Sequence, residues 1–188
     1  MTPRGIVVVV SGPSGVGKTT VIERLLAQPG FARSITATTR APRGKEKDGV
    51  DYLFLDRAVF EEGIRKGRFL EHATVHGNLY GTPREGVDAV LARGDVCLLN
   101  IDVQGAESLR RCGLPVATVF LLPPSMEVLE RRLVNRGTDA EAEKRRRLET
   151  ARKELDQADL FDRKVVNGSL EEAVGEIVAF VEQRRRSA

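Results

Sequence analysis

The residues with the clearest chemical meaning are the eight from Gly12 to Thr19, which read Gly-Pro-Ser-Gly-Val-Gly-Lys-Thr. Their order matches the phosphate-binding pattern G-x-x-x-x-G-K-[ST], and the apolar run 6–10 before them predicts a buried strand that leads into the loop. Glycines let successive backbone N–H groups point toward phosphate oxygens, and the helix expected after the loop adds its positive end. Lys18 can then reach the β- and γ-phosphates, and the Thr19 hydroxyl can bind Mg²⁺. The motif predicts a protein that binds a nucleoside triphosphate.

A second candidate anion site lies in the segment 36–52. Arg40 and Arg43 are three residues apart with Pro42 between them, which favours a fixed cationic fork for bidentate phosphate contacts. Tyr52 could add a neutral hydroxyl donor to the same oxygens. Without further context, a solvated basic loop explains these residues equally well.

Glu71 is a candidate reader of a nucleobase. It follows two apolar residues, Phe69 and Leu70. A carboxylate only accepts hydrogen bonds, so it suits the N1–H and N2 amine of guanine and discriminates against adenine, which lacks that donor pair. Taken alone, Glu71 fits a surface glutamate on a strand better.

These residues need a scaffold, and the hydrophobic pattern predicts one. Four apolar runs, separated by helical patterns, are typical of buried strands in a parallel sheet with helices on both faces. The four runs are 6–10, 96–101, 117–122 and 164–166.

Capping residues mark the predicted helices. Thr82 is the expected N-cap of one helix, with Pro83 as its first residue, Glu85 as the capping-box partner and Gly94 at its end. Further helices are predicted at 58–66, from the cap residue Ser125 to Gly137, from the capping box Thr138–Glu141 to 156, and from 170 onward.

Two stretches do not fit a minimal sheet with helices. The stretch 34–82 mixes short alternating runs with basic turns and predicts a small insert with its own strands. The stretch 126–157 is charged on nearly all faces around 144–147, which predicts a solvated arm or a lid that gains partners when a ligand binds.

Composition excludes several functional classes. The chain has 188 residues, which favours one compact unit, and contains no apolar run long enough to span a bilayer. Its 30 basic residues are balanced by 27 acidic ones and it has no tryptophan, so we expect no nucleic-acid partner and no membrane partner. Cys97 and Cys112 are expected to be reduced thiols of a cytoplasmic protein, and we expect no signal peptide before the first predicted strand.

Taken together, these motifs make the chain resemble the guanylate kinase family over essentially its whole length. The residues that carry the resemblance are 12–19, 39–43, 51–52, 69–71, 77–82, 101–105, 122–125, 136–138 and 165–167. The resemblance implies an α/β fold with a parallel five-stranded core sheet, in one domain over 4–184. The core would be 1–33, 84–124 and 158–188, the GMP-binding insert 34–83, and the lid 125–157.

The resemblance also implies an activity, the ATP-dependent and Mg²⁺-dependent phosphorylation of GMP or dGMP for guanine nucleotide synthesis and recycling. It implies a monomer or small homo-oligomer. The implied catalytic residues are Lys18, Arg40, Arg136 and Arg147. The implied ATP-binding residues are Gly12, Pro13, Ser14, Gly15, Val16, Gly17, Lys18, Thr19, Thr20, Arg136 and Asn167. The implied GMP-binding residues are Thr36, Arg40, Arg43, Glu46, Tyr52, Glu71, Tyr80, Thr82 and Asp102.

The chain departs from the family pattern at two positions. Thr36 stands where the family commonly has serine, which keeps the hydroxyl donor for guanine O6. Asn100 stands where the family usually has an acidic residue, so it could support a Mg²⁺ held by Thr19 only through a metal-bound water. We therefore expect either reduced metal affinity or a metal that depends more on Asp102 and the phosphates, rather than lost activity. No general base is required for a phosphate nucleophile, and His72 and His76 are expected to be non-catalytic strand residues.

Two other functions remain as alternatives. A non-catalytic interaction module with the same fold would bind phosphopeptides, but such modules typically lack a working phosphate loop. A kinase for another phosphorylated acceptor, such as a ribose bisphosphate, would have no reason to keep Thr36, Glu71 and Tyr80 together.

Overall fold

The architecture is seen in a computed structural model that describes residues 4–75, 77–101, 103–134 and 141–187. Side chains are described in these ranges except at 103, 104, 134, 141–145 and 147. The strands are β1 (Ile6–Ser11), β2 (Phe31–Arg33), β3 (Ala37–Thr38), β4 (Leu53–Phe54), β5 (Phe69–Val75), β6 (Asn78–Pro83), β7 (Val96–Leu99), β8 (Val116–Leu122) and β9 (Arg163–Val166). The helices are α1 (Lys18–Leu26), α2 (Arg57–Arg65), α3 (Arg84–Ala92), α4 (Val103–Arg110), α5 (Met126–Val134), α6 (Glu141–Leu155) and α7 (Leu170–Ser187), with a 3₁₀ turn at Ala158–Leu160.

The core sheet is parallel and five-stranded, in the order β2-β7-β1-β8-β9. This confirms the expected fold class. The four predicted strands are present, whereas the fifth, β2, was not identified from the sequence. Its three residues show no apolar alternation and form a strand by pairing with β7 at the sheet edge.

The central strand β1 is buried over its whole length because helices cover both faces of the sheet. Val8 and Val10 belong to the cluster that contains residues of α1 and α7, while Val7 and Val9 belong to the cluster that contains residues of α3 and α4. The alternation follows from the twofold side-chain period of a strand. The loop after β1 is thus anchored to the most buried part of the molecule.

A second sheet lies between β2 and α3 in the chain, in the order β4-β3-β6-β5. Its pairs are antiparallel except β3 with β4. Helix α2 covers it, with Phe60 stacked on Phe69 at a ring-centroid distance of 4.3 Å. These elements confirm that the stretch 34–82 has strands of its own.

The predicted helix start at Thr82 is wrong. Thr82 is the fifth residue of β6, Pro83 takes the cap position, and α3 begins at Arg84 without a side-chain cap. The hydroxyl of Thr82 instead donates a hydrogen bond to the Glu71 carboxylate. This bond prevails over the helix cap because both side chains are buried, and a buried carboxylate without that donor would cost more free energy than an uncapped helix end. Gly94 does end the helix region, with φ of 78° and its N–H donated to Leu91.

Helices α5 and α6 pack against each other. The backbone N–H of Val128 donates to Ser125 Oγ at 3.3 Å, which confirms the predicted cap. Leu148, Ala151 and Leu155 of α6 pack with apolar residues of α5. The described part of α6 therefore has an apolar face, in contrast to the prediction that it would be charged on nearly all faces. The predicted boundary residues Gly137 and Thr138 lie outside the described residues.

In the part of the chain that the structure describes, no helix combines the length and the apolar character needed to cross a membrane.

Candidate active site

The phosphate-binding loop joins the buried strand β1 to the first turn of α1. Gly17 precedes α1 with φ of 101°, a conformation that L side chains rarely adopt, and a Cβ there would lie 2.5 Å from Asn167 Nδ2. The first turn of α1 holds no acidic residue. Loop N–H groups and the positive helix end therefore form a site suited to an anion.

The carbonyl of Val16 accepts hydrogen bonds from two side chains outside the loop. Asn167 Nδ2 donates to it at 2.8 Å and Arg132 Nη1 at 3.1 Å. Asn167 is itself fixed, because its side chain is buried and its N–H donates to Leu122. Since these contacts set the orientation of the peptide between Val16 and Gly17, they help to hold the loop in its anion-accepting shape.

Lys18 folds back over its own loop. Its Nζ donates to the carbonyl of Gly12 at 2.5 Å and to that of Pro13 at 3.1 Å. These two carbonyls solvate the ammonium group. A bound phosphate would exchange some of these contacts for charge-assisted ones.

A carboxylate of α6 also reaches the loop. The backbone N–H of Ser14 donates to Glu154 Oε2 at 3.3 Å. An acidic group at this position is consistent with a loop that attracts anions. Sequence reasoning missed this contact, as well as the role of Arg132, because neither residue belongs to a recognisable motif.

The predicted cationic fork is asymmetric. Arg40 is 8% exposed and pairs with Glu46 through two 3.0 Å contacts, whereas the Arg43 side chain is exposed. Hydrogen bonding from Arg40 and from the backbone of Arg43 holds the pKa of Glu46 below its usual range. The bond to Glu46 raises the pKa of Arg40, which stays a cation.

Aromatic rings enclose the guanidinium of Arg40. Its Nε donates to Tyr80 Oη at 3.1 Å, and its central carbon lies 5.3 Å from the ring centroid of Tyr52. The rings of Tyr52 and Tyr80 meet edge to face at 6.2 Å. The structure thus brings together Arg40, Tyr52, Tyr80 and Glu46 of the predicted phosphate site.

Glu71 is buried rather than on the surface. It is 8% exposed and accepts the hydroxyl hydrogen of Thr82, a fully buried residue, at 2.5 Å. A Cβ on Gly105 would lie 3.3 Å from Glu71 Oε2, so the glycine lets α4 approach the carboxylate closely. A buried carboxylate must find donors, which fits a reader of guanine N–H groups.

Two adjoining cavities form the cleft. One, of about 230 Å³, is lined by Glu71, Tyr80 and neighbours, and the other, of about 320 Å³, reaches Thr19. Both are lined by Thr36, Tyr52, Asn100 and Ile101. The cleft therefore runs from the first turn of α1 to the buried carboxylate. A cavity of about 930 Å³ lies elsewhere, between α3 and the second sheet, and none of the predicted site residues lines it.

Four of the predicted residues have no described side chain. Asp102, Arg136 and His76 lie outside the described residues, and Arg147 lies outside the described side chains. Thr20 is exposed in the first turn of α1, and His72 is exposed on β5.

One cleft thus extends from the first turn of α1 to the buried carboxylate of Glu71, and comparison with known proteins shows the family. The family model "Guanylate kinase" matches residues 4–184. The chain belongs to the guanylate kinase family. It is 48% identical over 183 residues to the guanylate kinase of Thermus thermophilus, covering 97% of this chain and 83% of that protein.

Further relatives extend the family match. The chain is 51% identical over 169 residues to "Guanylate kinase 1" of Oryza sativa, covering 87% of this chain but only 44% of that protein. The crystal structure of guanylate kinase from Anaplasma phagocytophilum superposes with a TM-score of 0.74 at 33% identity, covering 97% of this chain and 87% of that one.

Proposed function

We propose that this cleft is the active site of an ATP:GMP phosphotransferase, and that the chain transfers the γ-phosphoryl group of ATP to GMP or dGMP. The observation that carries the proposal is the continuous cleft between Thr19 and the buried carboxylate of Glu71. Membership of the guanylate kinase family supports it.

Base selection would rest on Glu71. Its carboxylate accepts from N1–H and the N2 amine of guanine, while Thr36 donates its hydroxyl to O6. By family resemblance, Asp102 would lie close to the base as well. Adenine lacks the N1–H and N2 amine, so it would give up both hydrogen bonds that guanine donates to this carboxylate, and its binding would be strongly disfavoured.

The acceptor phosphate would be held by Arg43, Tyr52, Tyr80 and Arg40. Tyr80 Oη accepts from Arg40 Nε, so its own proton is available for a phosphate oxygen. Arg43 is exposed at the rim, where its guanidinium can move onto the phosphate as GMP enters.

The donor phosphates would lie on the loop of 12–19 and the first turn of α1. Lys18 would leave the carbonyls of Gly12 and Pro13 to contact the β- and γ-phosphates. Arg136 and Arg147 would close over the triphosphate from the lid, and Asn167 would lie near adenine. This arrangement would bring both phosphates into line, exclude water and neutralise charge, which is most of what phosphoryl transfer requires.

The residues present fit a Mg²⁺ ion. Thr19 and Asn100, both oxygen donors, line the same cavity, and among the described residues no group of three or more His, Cys, Asp or Glu could hold a metal by itself. That donor set suits an ion bound mainly by water and substrate phosphates. Bound Mg²⁺ would neutralise charge on the transferring phosphoryl group.

A cytoplasmic location is proposed because Cys97 and Cys112 are free thiols. The protein is proposed to act as a monomer or small homo-oligomer.

The test is ADP release from Mg-ATP with GMP, dGMP, AMP, UMP, CMP and ribose 1,5-bisphosphate offered separately. GMP and dGMP should be used and the others should not. Preference for any other acceptor would overturn the proposal.

A further inference from the structure

Glu46 contacts both arms of the cationic fork at once. Its Oε1 accepts from Arg40 Nη2 and its Oε2 from Arg40 Nη1, each at 3.0 Å. Oε2 also accepts the backbone N–H of Arg43 at 2.7 Å. One carboxylate therefore fixes the guanidinium of the first arginine and the backbone of the second.

These contacts leave Arg40 with little to offer a ligand. Besides Glu46, its Nε donates to Tyr80 Oη at 3.1 Å and its Nη1 to the carbonyl of Ala41 at 2.8 Å. Of the five N–H donors of an arginine, four are taken by atoms of the described residues, which leave one hydrogen on Nη2. Arg40 is thus a rigid part of the site rather than a mobile clamp.

Glu46 is built into the loop and does not merely occupy the place of a phosphate. Its own N–H donates to the carbonyl of Arg43 at 3.0 Å, which closes the turn 43–46 and returns the carboxylate to the N–H of Arg43. Its low pKa keeps it ionised throughout the neutral range. A ligand that displaced it would have to break a turn as well as an ion pair.

We propose that Glu46 is a positioning residue for the acceptor phosphate: it makes no contact with GMP but holds Arg40, and through Arg40 the Tyr80 hydroxyl, in the orientation that the phosphate needs. This inference rests on the proposed function and revises the expectation that Glu46 binds GMP itself. Because the charges of Arg40 and Glu46 offset each other, Arg43 supplies the net positive charge.

The test compares Glu46→Gln with Glu61→Gln. Glutamine keeps the volume of Glu46 but loses its charge and one acceptor oxygen. Glu61 is a matched control on α2 of the same insert, paired with Arg57 at 3.4 Å with both side chains about half exposed. For each protein, the KM for GMP, the KM for ATP and the inhibition constant of guanosine, which lacks the phosphate, are measured.

Glu46→Gln should raise the KM for GMP by about 5- to 50-fold, because one partner of a hydrogen-bonded charge pair is lost. The inhibition constant of guanosine and the KM for ATP should stay unchanged, and Glu61→Gln should match the parent. An increase in the KM for GMP separates the two possible effects of Glu46→Gln. The loss of a negative charge would by itself strengthen phosphate binding and lower this KM, whereas the loss of the contact that positions Arg40 raises it.

Other outcomes overturn the inference. A lower KM for GMP would show that Glu46 competes with the phosphate, and an unchanged KM that it is dispensable. Equal weakening of GMP and guanosine would show a general structural role. If the parent protein uses no GMP at all, the proposed function itself fails.

Discussion

The hydroxyl of Thr82 donates to Glu71 Oε1 at 2.5 Å across two paired strands, and both side chains are buried. The bond orients a carboxylate that has little access to water. Removing the hydroxyl while leaving the carboxylate would cost about 1–3 kcal/mol, the usual penalty for a buried group that loses a partner.

Thr82→Val should therefore raise the KM for GMP by roughly 5- to 160-fold, the range that this cost implies, while the KM for ATP stays the same. The measurement is steady-state kinetics with each substrate varied in turn. Thr82→Ser keeps the hydroxyl and should stay close to the parent enzyme. An equal defect in both variants would contradict the proposed role of the hydrogen bond.

Glu71→Gln should weaken GMP use selectively. The amide of glutamine keeps one acceptor oxygen but places an NH₂ group against one of the two guanine N–H donors. Because the contact is buried, the change in kcat/KM for GMP should correspond to a loss of about 2–5 kcal/mol of transition-state stabilisation. ATP binding, measured by the KM for ATP, should be nearly intact. Equal damage to both substrates would assign Glu71 a structural role.

Asn167→Ala should raise the KM for ATP and leave that for GMP unchanged. The variant removes the 2.8 Å hydrogen bond to the carbonyl of Val16, worth about 1 kcal/mol or about a fivefold change in KM. Gly17→Ala should be more damaging, because its Cβ would lie 2.5 Å from Asn167 Nδ2 at φ of 101°. An unaltered KM for ATP in Asn167→Ala would argue against this support of the loop.

Asn100→Asp should lower the Mg²⁺ concentration needed for half-maximal rate. Asn100 follows β7 at the cleft and is neutral, whereas a carboxylate there would attract the hydrated ion. The measurement is a magnesium titration of both proteins at fixed ATP and GMP. Identical metal dependence would show that Asn100 does not support the metal site.

Cys97 should make the protein less stable at alkaline pH. Burial raises the pKa of its thiol to about 11 from 9.0, so the unfolded chain releases this proton at lower pH than the folded one. Stability from this group is complete below pH 9 and falls as the pH rises toward 11, by about 1 kcal/mol between pH 8 and pH 10.

Urea unfolding of the parent and of Cys97→Ala at pH 8 and pH 10 would measure this loss. The alanine variant should lose about 1 kcal/mol less over the interval, because its residue 97 does not titrate. The same pH dependence in both proteins would mean that the buried thiol contributes nothing.

Much of the fold could be predicted because its signals are local. The loop after β1 and the apolar face of α7 with Val174, Ile177 and Val181 lie within single periodic segments. The strand β2 could not be predicted, since its three residues pair with β7 more than sixty positions away.

The site was predicted in its residue types but less well in its contacts. The capping pattern at Thr82 is a local signal, and it was outweighed by Glu71, eleven residues distant in sequence but adjacent across the sheet. Likewise, Arg40 and Arg43 look equivalent in sequence. In the structure, the turn at 43–46 brings the Glu46 carboxylate onto the guanidinium of Arg40, while the side chain of Arg43 is exposed. Side-chain partners depend on backbone turns that composition does not reveal.

All of the second sheet lies between the edge strand β2 and the helix α3, so the chain leaves the core once and returns once. Most of the proposed acceptor residues, from Thr36 to Tyr80, are therefore in one segment of the chain, whereas Asn100 and Ile101 of the same cleft follow the core strand β7. The loop after β1 is attached to the centre of the core sheet. An exchange of that segment would need two junctions, one after β2 and one before α3, and would leave the sequence of the proposed ATP-binding loop unaltered.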